Sequence, residues 1–500
     1  MVNKMKKDNK ITNILTNICI YVFILLSNFF CINKILDSDL FFDLRSAKDI
    51  LTYGLDFKDH MSMHEGLKYL YHHWLYDLII YPIFKLGGAP LLFIFFVIVF
   101  FLFSLLAYTF INKHINNKLI SLISTIVLIY FTSIFYYPRV QSVSYLLMLL
   151  LFIIINKLYE KGEIKYSVIS ILISIFIVNI HFPMWILVPV FFFPYIVQII
   201  IKYIKDKYNI KLLDKKFIIE DCKSKKLFII TFIIVLLSCF ISPYGILNYT
   251  FGFKVMNYYS TVYGNIGEMK HVSLLSYPFV ALLLVIALIL TVSKKKIKLY
   301  DLFYLLGLGL YGLILYRNTV YLYTYFIIIL TINIFSDFKF KNIKIKKLNV
   351  NENVIISTFI IMEVITIGMI INALDFKTFE YGIDHGGEPV ETADYIVNNL
   401  DYKNIRLYNE FAQGSYLAYR EIPVFIDSRV EVYLKEFNDK EDIIIDYFNM
   451  DFEELIDKYQ FNYYLVGKDS KKYKYLKDND KYELLNVEYG YYYLYKNKEA

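Results

Sequence analysis

Up to about residue 374, long apolar runs recur along this chain, divided by short loops that are basic or rich in aromatic and polar groups. Beyond that point the apolar and polar positions alternate on much shorter periods. A helix needs about 20 apolar residues to cross the hydrocarbon core of a bilayer. Runs of that kind lie at 11–33, 91–112, 118–136, 141–158, 166–182, 184–204, 227–246, 275–293, 299–316, 319–336 and 352–374. They predict a polytopic α-helical membrane protein with about eleven transmembrane helices. A shorter run, 75–86, stops at Gly87-Gly88-Ala89-Pro90. It is too short to span and is expected to lie in the interface or to re-enter. The first run follows a basic segment and shows no small-residue cleavage site, so it is expected to stay as the first span.

From about residue 375 the pattern predicts strands at 405–408, 424–426, 463–466 and 489–495, and an amphipathic helix at 441–459. Strands and helices alternating in that way predict a small α/β domain. The expected organisation is therefore a transmembrane domain over 1–374, with a long loop at 34–90, and an α/β domain over 375–500. No internal repeat, low-complexity linker, G-x-G-x-x-G or phosphate loop is visible.

Composition agrees with the pattern. Hydrophobic residues make up 57% of the 500, and mean hydropathy is +0.46, against roughly 45–50% apolar in soluble domains. The net charge of +7 suggests nucleic acid only until the charges are placed. They fall in the loops and set topology. With the N-terminus in the cytoplasm, the inner loops hold roughly 27 Lys and Arg and the outer loops roughly 10, as the positive-inside rule requires. An odd number of spans then puts the tail outside, so the expectation is a multi-pass cell-membrane protein with an extracytoplasmic C-terminal domain. Cys19, Cys31, Cys222 and Cys239 have no paired spacing and suggest neither a disulfide framework nor a zinc site.

The outer loops carry the candidate chemistry. Asp37 and Asp39 follow the first span, with Asp43 and Arg45 within about a turn; Asp59-His60 and His72-His73-Trp74 come later. Residues 40–53 predict an amphipathic helix along the membrane, with Leu40, Leu44, Ala47 and Leu51 in one stripe. Short outer loops add Arg139, Asn179 and His181, then Glu268 with His271, then Arg317. Polar groups at span ends are costly unless paired or used, and their gathering on one side predicts a single cavity. A carboxylate at such a boundary can act as a general base towards a hydroxyl. Two carboxylates and a His can also hold a divalent cation, Mg or Mn. Plainer readings stand beside these. Asp37 caps the following helix, Arg45 pairs with Asp43 or Asp49, His72 and His73 belong to an aromatic belt with Trp74, and Arg139 and Arg317 snorkel from span ends.

The order of motifs resembles the GT-C glycosyltransferase superfamily, specifically the bacterial relatives of protein O-mannosyltransferases and of lipid A aminoarabinose transferases. The run Asp37-Ser38-Asp39 looks like the family's D-x-D after the first helix. Asp59-His60-Met61-Ser62 is similar to its D-x-x-S, and His73-Trp74-Leu75 to the motif entering its re-entrant helix. Pro138-Arg139-Val140-Gln141, Asn179-Ile180-His181, Ser242-Pro243-Tyr244-Gly245, Glu268 and Arg317-Asn318 follow in the family's order. So do Tyr408-Asn409-Glu410, Gly414-Ser415-Tyr416-Leu417 and Val424-Phe425-Ile426-Asp427-Ser428-Arg429 with Tyr433. The departures are Ser38 for a Pro, Ser415 for a Gly and Met269 for an aromatic, and no adjacent acidic pair follows the first span.

The resemblance implies transfer of a sugar from a polyprenyl-phosphate donor to a glycan, glycolipid or protein acceptor at the outer face. Asp39 or Asp37 would be the base. Arg139 and Arg317 would meet the phosphate, and Arg45, Asp59, His73, His181 and Glu268 would line the substrate site. Metal use stays open. A transporter or lipid flippase, and a non-catalytic scaffold for envelope assembly, are the competing readings. Convergence of Asp39, Arg139, His181 and Arg317 on one pocket separates an enzyme from a scaffold.

Overall fold

The structure is a computed structural model that describes residues 2–133, 137–258, 262, 266, 278–293, 296–311, 322–336, 383 and 387–499. Glu268, His271, Arg317 and the run at 352–374 lie outside the described residues. Among the described residues, twelve α-helices come before the tail: α1 (Val2–Cys31), α2 (Ser38–Tyr53), α3 (Trp74–Ile115), α4 (Lys118–Thr132), α5 (Val140–Lys161), α6 (Ile164–Ile180), α7 (Phe193–Tyr208), α8 (Lys225–Leu237), α9 (Leu247–Asn257), α10 (Pro278–Ser293), α11 (Leu299–Tyr311) and α12 (Tyr323–Phe335). Among the described residues, Asn13–Cys31, Trp74–Ile115, Val140–Lys161 and Phe182–Tyr208 are long and apolar enough to cross a membrane. Shorter apolar helices cover Lys118–Thr132, Ile164–Ile180, Leu299–Leu310 and Tyr323–Phe335. Ile94 and Ile98 on α3, and Leu119, Ile123 and Val127 on α4, stand exposed in rows at helical spacing. Such rows are compatible with insertion into lipid, where apolar side chains face hydrocarbon at no cost.

Helix α3 runs 42 residues, about 63 Å if straight, twice the thickness of a hydrocarbon core. It is not straight. Gly87 (φ −148°, ψ 15°) and Gly88 (φ 60°, ψ −154°) break it, and the Gly88 conformation is one that only glycine adopts readily. The apolar piece 75–86 is therefore a separate arm, as its length and the Gly-Gly-Ala-Pro stop predict.

Small polar side chains join the helices. Ser167 Oγ lies 2.6 Å from Thr231 Oγ1, Ser174 Oγ lies 2.7 Å from Ser238 Oγ, and Trp185 Nε1 donates to Ser174 at 3.0 Å. Ser104 Oγ pairs with Asn28 Oδ1 at 3.1 Å. Hydrogen bonds of this type hold apolar helices together where burial from water supplies no drive. Between α7 and α12, β1 (Phe217–Ile218) and β2 (Ile297–Lys298) form a short parallel pair.

The tail holds a four-stranded sheet of β3 (Leu407–Asn409), β4 (Tyr463–Gly467), β5 (Tyr482–Glu488) and β6 (Tyr492–Asn497), in the order β3-β4-β6-β5. The β3–β4 pair is parallel and the other pairs are antiparallel. The structure differs from the sequence pattern at four places. Residues 489–491 form the turn into β6, so the last strand starts at Tyr492 rather than Tyr489. Residues 441–459 form two helices, Ile443–Asn449 and Phe452–Tyr459, because Met450 and Asp451 take extended backbone; Asn and Asp compete locally with helix bonding. Strand β5 is an addition. It is a bulged edge strand with Leu484 and Val487 exposed, so it lacks clean alternation. Residues 424–426 join no long strand. Val424 instead bridges Ser62 and Leu407, with Met63 N donating to Val424 O at 2.8 Å and Val424 N to Met61 O at 3.1 Å.

That last contact sets the architecture. The loop after α1 does not lie free. Its Met61, Leu67, Tyr69 and Tyr71 share one buried core with Leu407, Val424, Phe425 and Tyr433 of the tail. Lys48 pairs with Glu421, Lys68 pairs with Asp439, and Lys440 Nζ donates to Glu65 O. Helix α2 is held in the same way. Leu40, Leu44 and Ala47 are buried as expected, but Leu51 in the last turn is 65% exposed while Ile50 is buried.

Candidate functional site

Four separate chain segments deliver the polar groups to one place. Asp37 starts α2: its backbone is extended and its Oδ1 accepts from Asp39 N at 3.0 Å, which satisfies a helix N-terminal donor. The same carboxylate takes a bond from Arg139, with Nη2 2.6 Å from Oδ2. Arg139, just before α5, also sets Nη1 3.6 Å from Asp39 Oδ2. His73 ends the loop and opens α3; its Nδ1 is 3.0 Å from Asp43 Oδ1, one turn beyond Asp39 on α2. His181 closes α6 and places Nδ1 2.9 Å from Ser144 Oγ of α5. The two imidazoles meet edge to face at 5.1 Å. Asn179 holds them in register: it accepts from Trp74 Nε1 at 3.2 Å and donates to Ile241 O at 2.9 Å.

These groups face a cavity of about 570 Å³, within the size range of small-molecule sites. Asp39, His73, Arg139 and His181 line one side, and Ser428, Arg429 and Glu431 of the tail line the other. Of the residues expected from the sequence, Asp39, Arg139, His73 and His181 are thus brought together. Asp37 stands behind Asp39 as cap and partner of Arg139, 12% exposed against 29% for Asp39.

Arg45 and Asp59 stand elsewhere. Arg45 bonds Asp49 Oδ1 at 2.9 Å, Ala418 O at 2.9 Å and His60 O at 2.8 Å, tying α2 to the tail. Asp59 accepts from Arg429 Nη1 at 2.6 Å, in a buried cluster where Arg429 also bonds Asp427 at 2.6 Å and Tyr433 OH donates to Asp427 at 2.9 Å. The Arg429 guanidinium lies 4.7 Å from the Tyr69 ring centre. Glu268 and Arg317 lie outside the described residues.

No family model and no curated protein matches this chain. The reading of the site therefore rests on its own chemistry.

Burial and the neighbouring Asp39 push the Asp37 carboxyl above the usual carboxylate range, against the pull of Arg139. Burial pushes Glu431 up to about 7. Its partner His72, with Nε2 2.7 Å away but out of line for a hydrogen bond, is driven well below its ordinary value by burial and by His73. Burial thus disfavours the charged form of both partners. For Asp59, burial works against the charge, but Arg429 and Ser62 outweigh it and hold the carboxyl below its ordinary value.

Sequence reasoning passed over Asp77, Glu431 and Ser144. Asp77 carried a readable signal, since Asp39-x-x-x-Asp43 and His73-x-x-x-Asp77 both put their members on one helix face. Glu431 and Ser144 carried none; they reach the site only through the packing of distant segments.

Proposed function

We propose that this chain is a membrane glycosyltransferase of the GT-C type, moving a sugar from a polyprenyl-phosphate-linked donor to an acceptor hydroxyl. On this reading about eleven helices span the cell membrane, the N-terminus is cytoplasmic, and the cavity and the domain over 375–500 face outward. One observation carries the reading: Asp39, Arg139, His73 and His181, from four segments far apart in sequence, share the wall of a single cavity. A scaffold has no reason to gather them.

The chemistry follows from the residue types. The acceptor hydroxyl gives its proton to Asp39 as its oxygen forms a bond to the anomeric carbon. The bond from that carbon to the phosphate oxygen breaks, and the lipid phosphate leaves with the electron pair. Arg139, a planar donor fork already held between two carboxylates, offers its charge to the phosphate. Displacement from the opposite face inverts the anomeric centre. His73 and His181 shape the wall and donate or accept at the sugar.

The test is a transfer assay on purified protein in lipid, with radiolabelled polyprenyl-phosphate sugars and membrane extract as acceptor. Wild type is run beside Asp37→Asn and Asp39→Asn. Label transfer that survives in Asp37→Asn and collapses in a folded Asp39→Asn is the expected result. Equal transfer by all three proteins would sink Asp39 as the base.

A further inference from the structure

Behind the cavity wall, Asp43, His73 and Asp77 each point one ligand atom into a common space, all within 4.8 Å of one another. Asp43 comes from α2 and is 2% exposed; Asp77 comes from the first turn of α3 and is fully buried. Neither oxygen of Asp77 has a hydrogen-bond partner. Among the described residues, no lysine or arginine forms an ion pair with Asp43 or Asp77; His73 lies 3.0 Å from Asp43, and the ionisable neighbour of Asp77 is Asp43 itself. A buried carboxylate with both oxygens unpartnered is costly, and a second carboxylate beside it makes double ionisation harder still. Something positive must sit between them, either a shared proton or a cation.

The donor set favours a cation. We propose that Asp43, His73 and Asp77 bind a divalent transition metal ion, of the Mn²⁺ or Zn²⁺ class, at the back wall of the cavity. Two carboxylate oxygens and one imidazole nitrogen form a mixed hard and borderline set. The imidazole disfavours Mg²⁺ and Ca²⁺, which take oxygen ligands, and the absence of a thiolate from the set disfavours soft ions. Metal–ligand bonds of about 2.1 Å put neighbouring ligand atoms roughly 3 to 4 Å apart, so the three side chains need only a small inward shift. They also leave coordination positions open. His73 lines the cavity, so those positions are reached from the side where substrate would sit. Binding of the ion does not depend on the glycosyltransferase reading; its meeting a donor phosphate does.

The test uses the full chain in detergent, stripped with chelator, without sugar or acceptor. Equilibrium dialysis against Mn²⁺, Zn²⁺ and Mg²⁺ should show one tightly held Mn²⁺ or Zn²⁺ per chain and much weaker Mg²⁺. Asp77→Asn keeps the shape but removes a ligand charge. It should weaken binding by more than the ~10–100-fold that loss of an outer-sphere partner costs. Electron spin echo spectra of bound Mn²⁺ should carry an imidazole nitrogen signal that vanishes in His73→Gln, a readout available even where Asp77→Asn fails to fold. No cation held by wild type, or equal affinity in Asp77→Asn, would overturn the proposal and leave a shared proton. A protein that binds the ion and transfers no sugar would keep this site and lose the enzymatic reading.

Discussion

Arg429 Nη1 lies 2.6 Å from Asp59 Oδ1, joining residues 370 positions apart, with both side chains essentially shielded from water. The same guanidinium bonds Asp427, so one cation is shared by two buried carboxylates. It forms a strut between the loop after α1 and the tail, and its arginine also lines the cavity.

Removing the arginine of that strut leaves two buried carboxylates without their cation. Arg429→Met should destabilise the protein by about 3–5 kcal/mol, seen as a fall in the thermal midpoint in detergent and as easier proteolytic release of the tail. The pH dependence has a definite sign. Asp59 is held below its ordinary value, so its contribution is fully present above the unfolded pKa of about 3.9 and is lost as pH falls through the folded value. The stability gap between wild type and Asp59→Asn should therefore stay level from about pH 5 to 8 and close only below about pH 4.

Asp37 and Asp39 should separate by assay. Asn caps a helix about as well as Asp, so Asp37→Asn should fold normally, while Asp37→Ala should lose about 1 kcal/mol. Asp39→Asn should leave stability nearly unchanged and cut transfer by about 10²–10⁴. Thermal melts beside transfer rates check both halves.

Arg139 holds both carboxylates and faces the cavity. Replacing it by Gln should slow transfer by about 10²–10³, the usual effect of losing one preorganised group that stabilises developing charge. Arg139→Lys should recover only part, since an ammonium cannot span Asp37 and Asp39 as a fork does. Rates with saturating donor test this.

Gly414 packs against the chain at Ile426–Asp427. A Cβ there would come 2.6 Å from Asp427 Cβ and closer still to the Ile426 carbonyl oxygen. Gly414→Ala should destabilise by at least the ~1–3 kcal/mol of ordinary overpacking, because the clash is with backbone. It should also displace Asp427 from Arg429. A lowered melting point with loss of the proteolysis-resistant tail is the expected outcome.

The helices long and apolar enough to cross a membrane were legible because run length is a local property; Asn13–Cys31 and Val140–Lys161 needed no tertiary information. The break at Gly87-Gly88 was legible for the same local reason. Within the site, Asp39, Arg139, His73 and His181 could be named because polar groups at the ends of apolar runs stand out. Arg45 and Asp59 stood out equally but serve the junction with the tail, which no local pattern encodes. The split near Met450 and the bulged strand β5 are likewise outcomes of packing and backbone competition. Asp77 was passed over although its spacing of four from His73 was legible, because it stands as the one acid of a mostly apolar arm.

The shared core of loop and tail also orders events in time. Met61 and Tyr69 are made early, yet their partners Val424 and Arg429 come some 360 residues later. At about 5–20 residues per second, that is a wait of roughly 20 to 70 seconds. Throughout it, Met61 and Tyr69 lack their partners from the tail. A ribosome that stops short of Glu431 releases a chain whose cavity lacks part of its wall, the side formed by Ser428, Arg429 and Glu431, so the last quarter of translation is the step that closes the cavity.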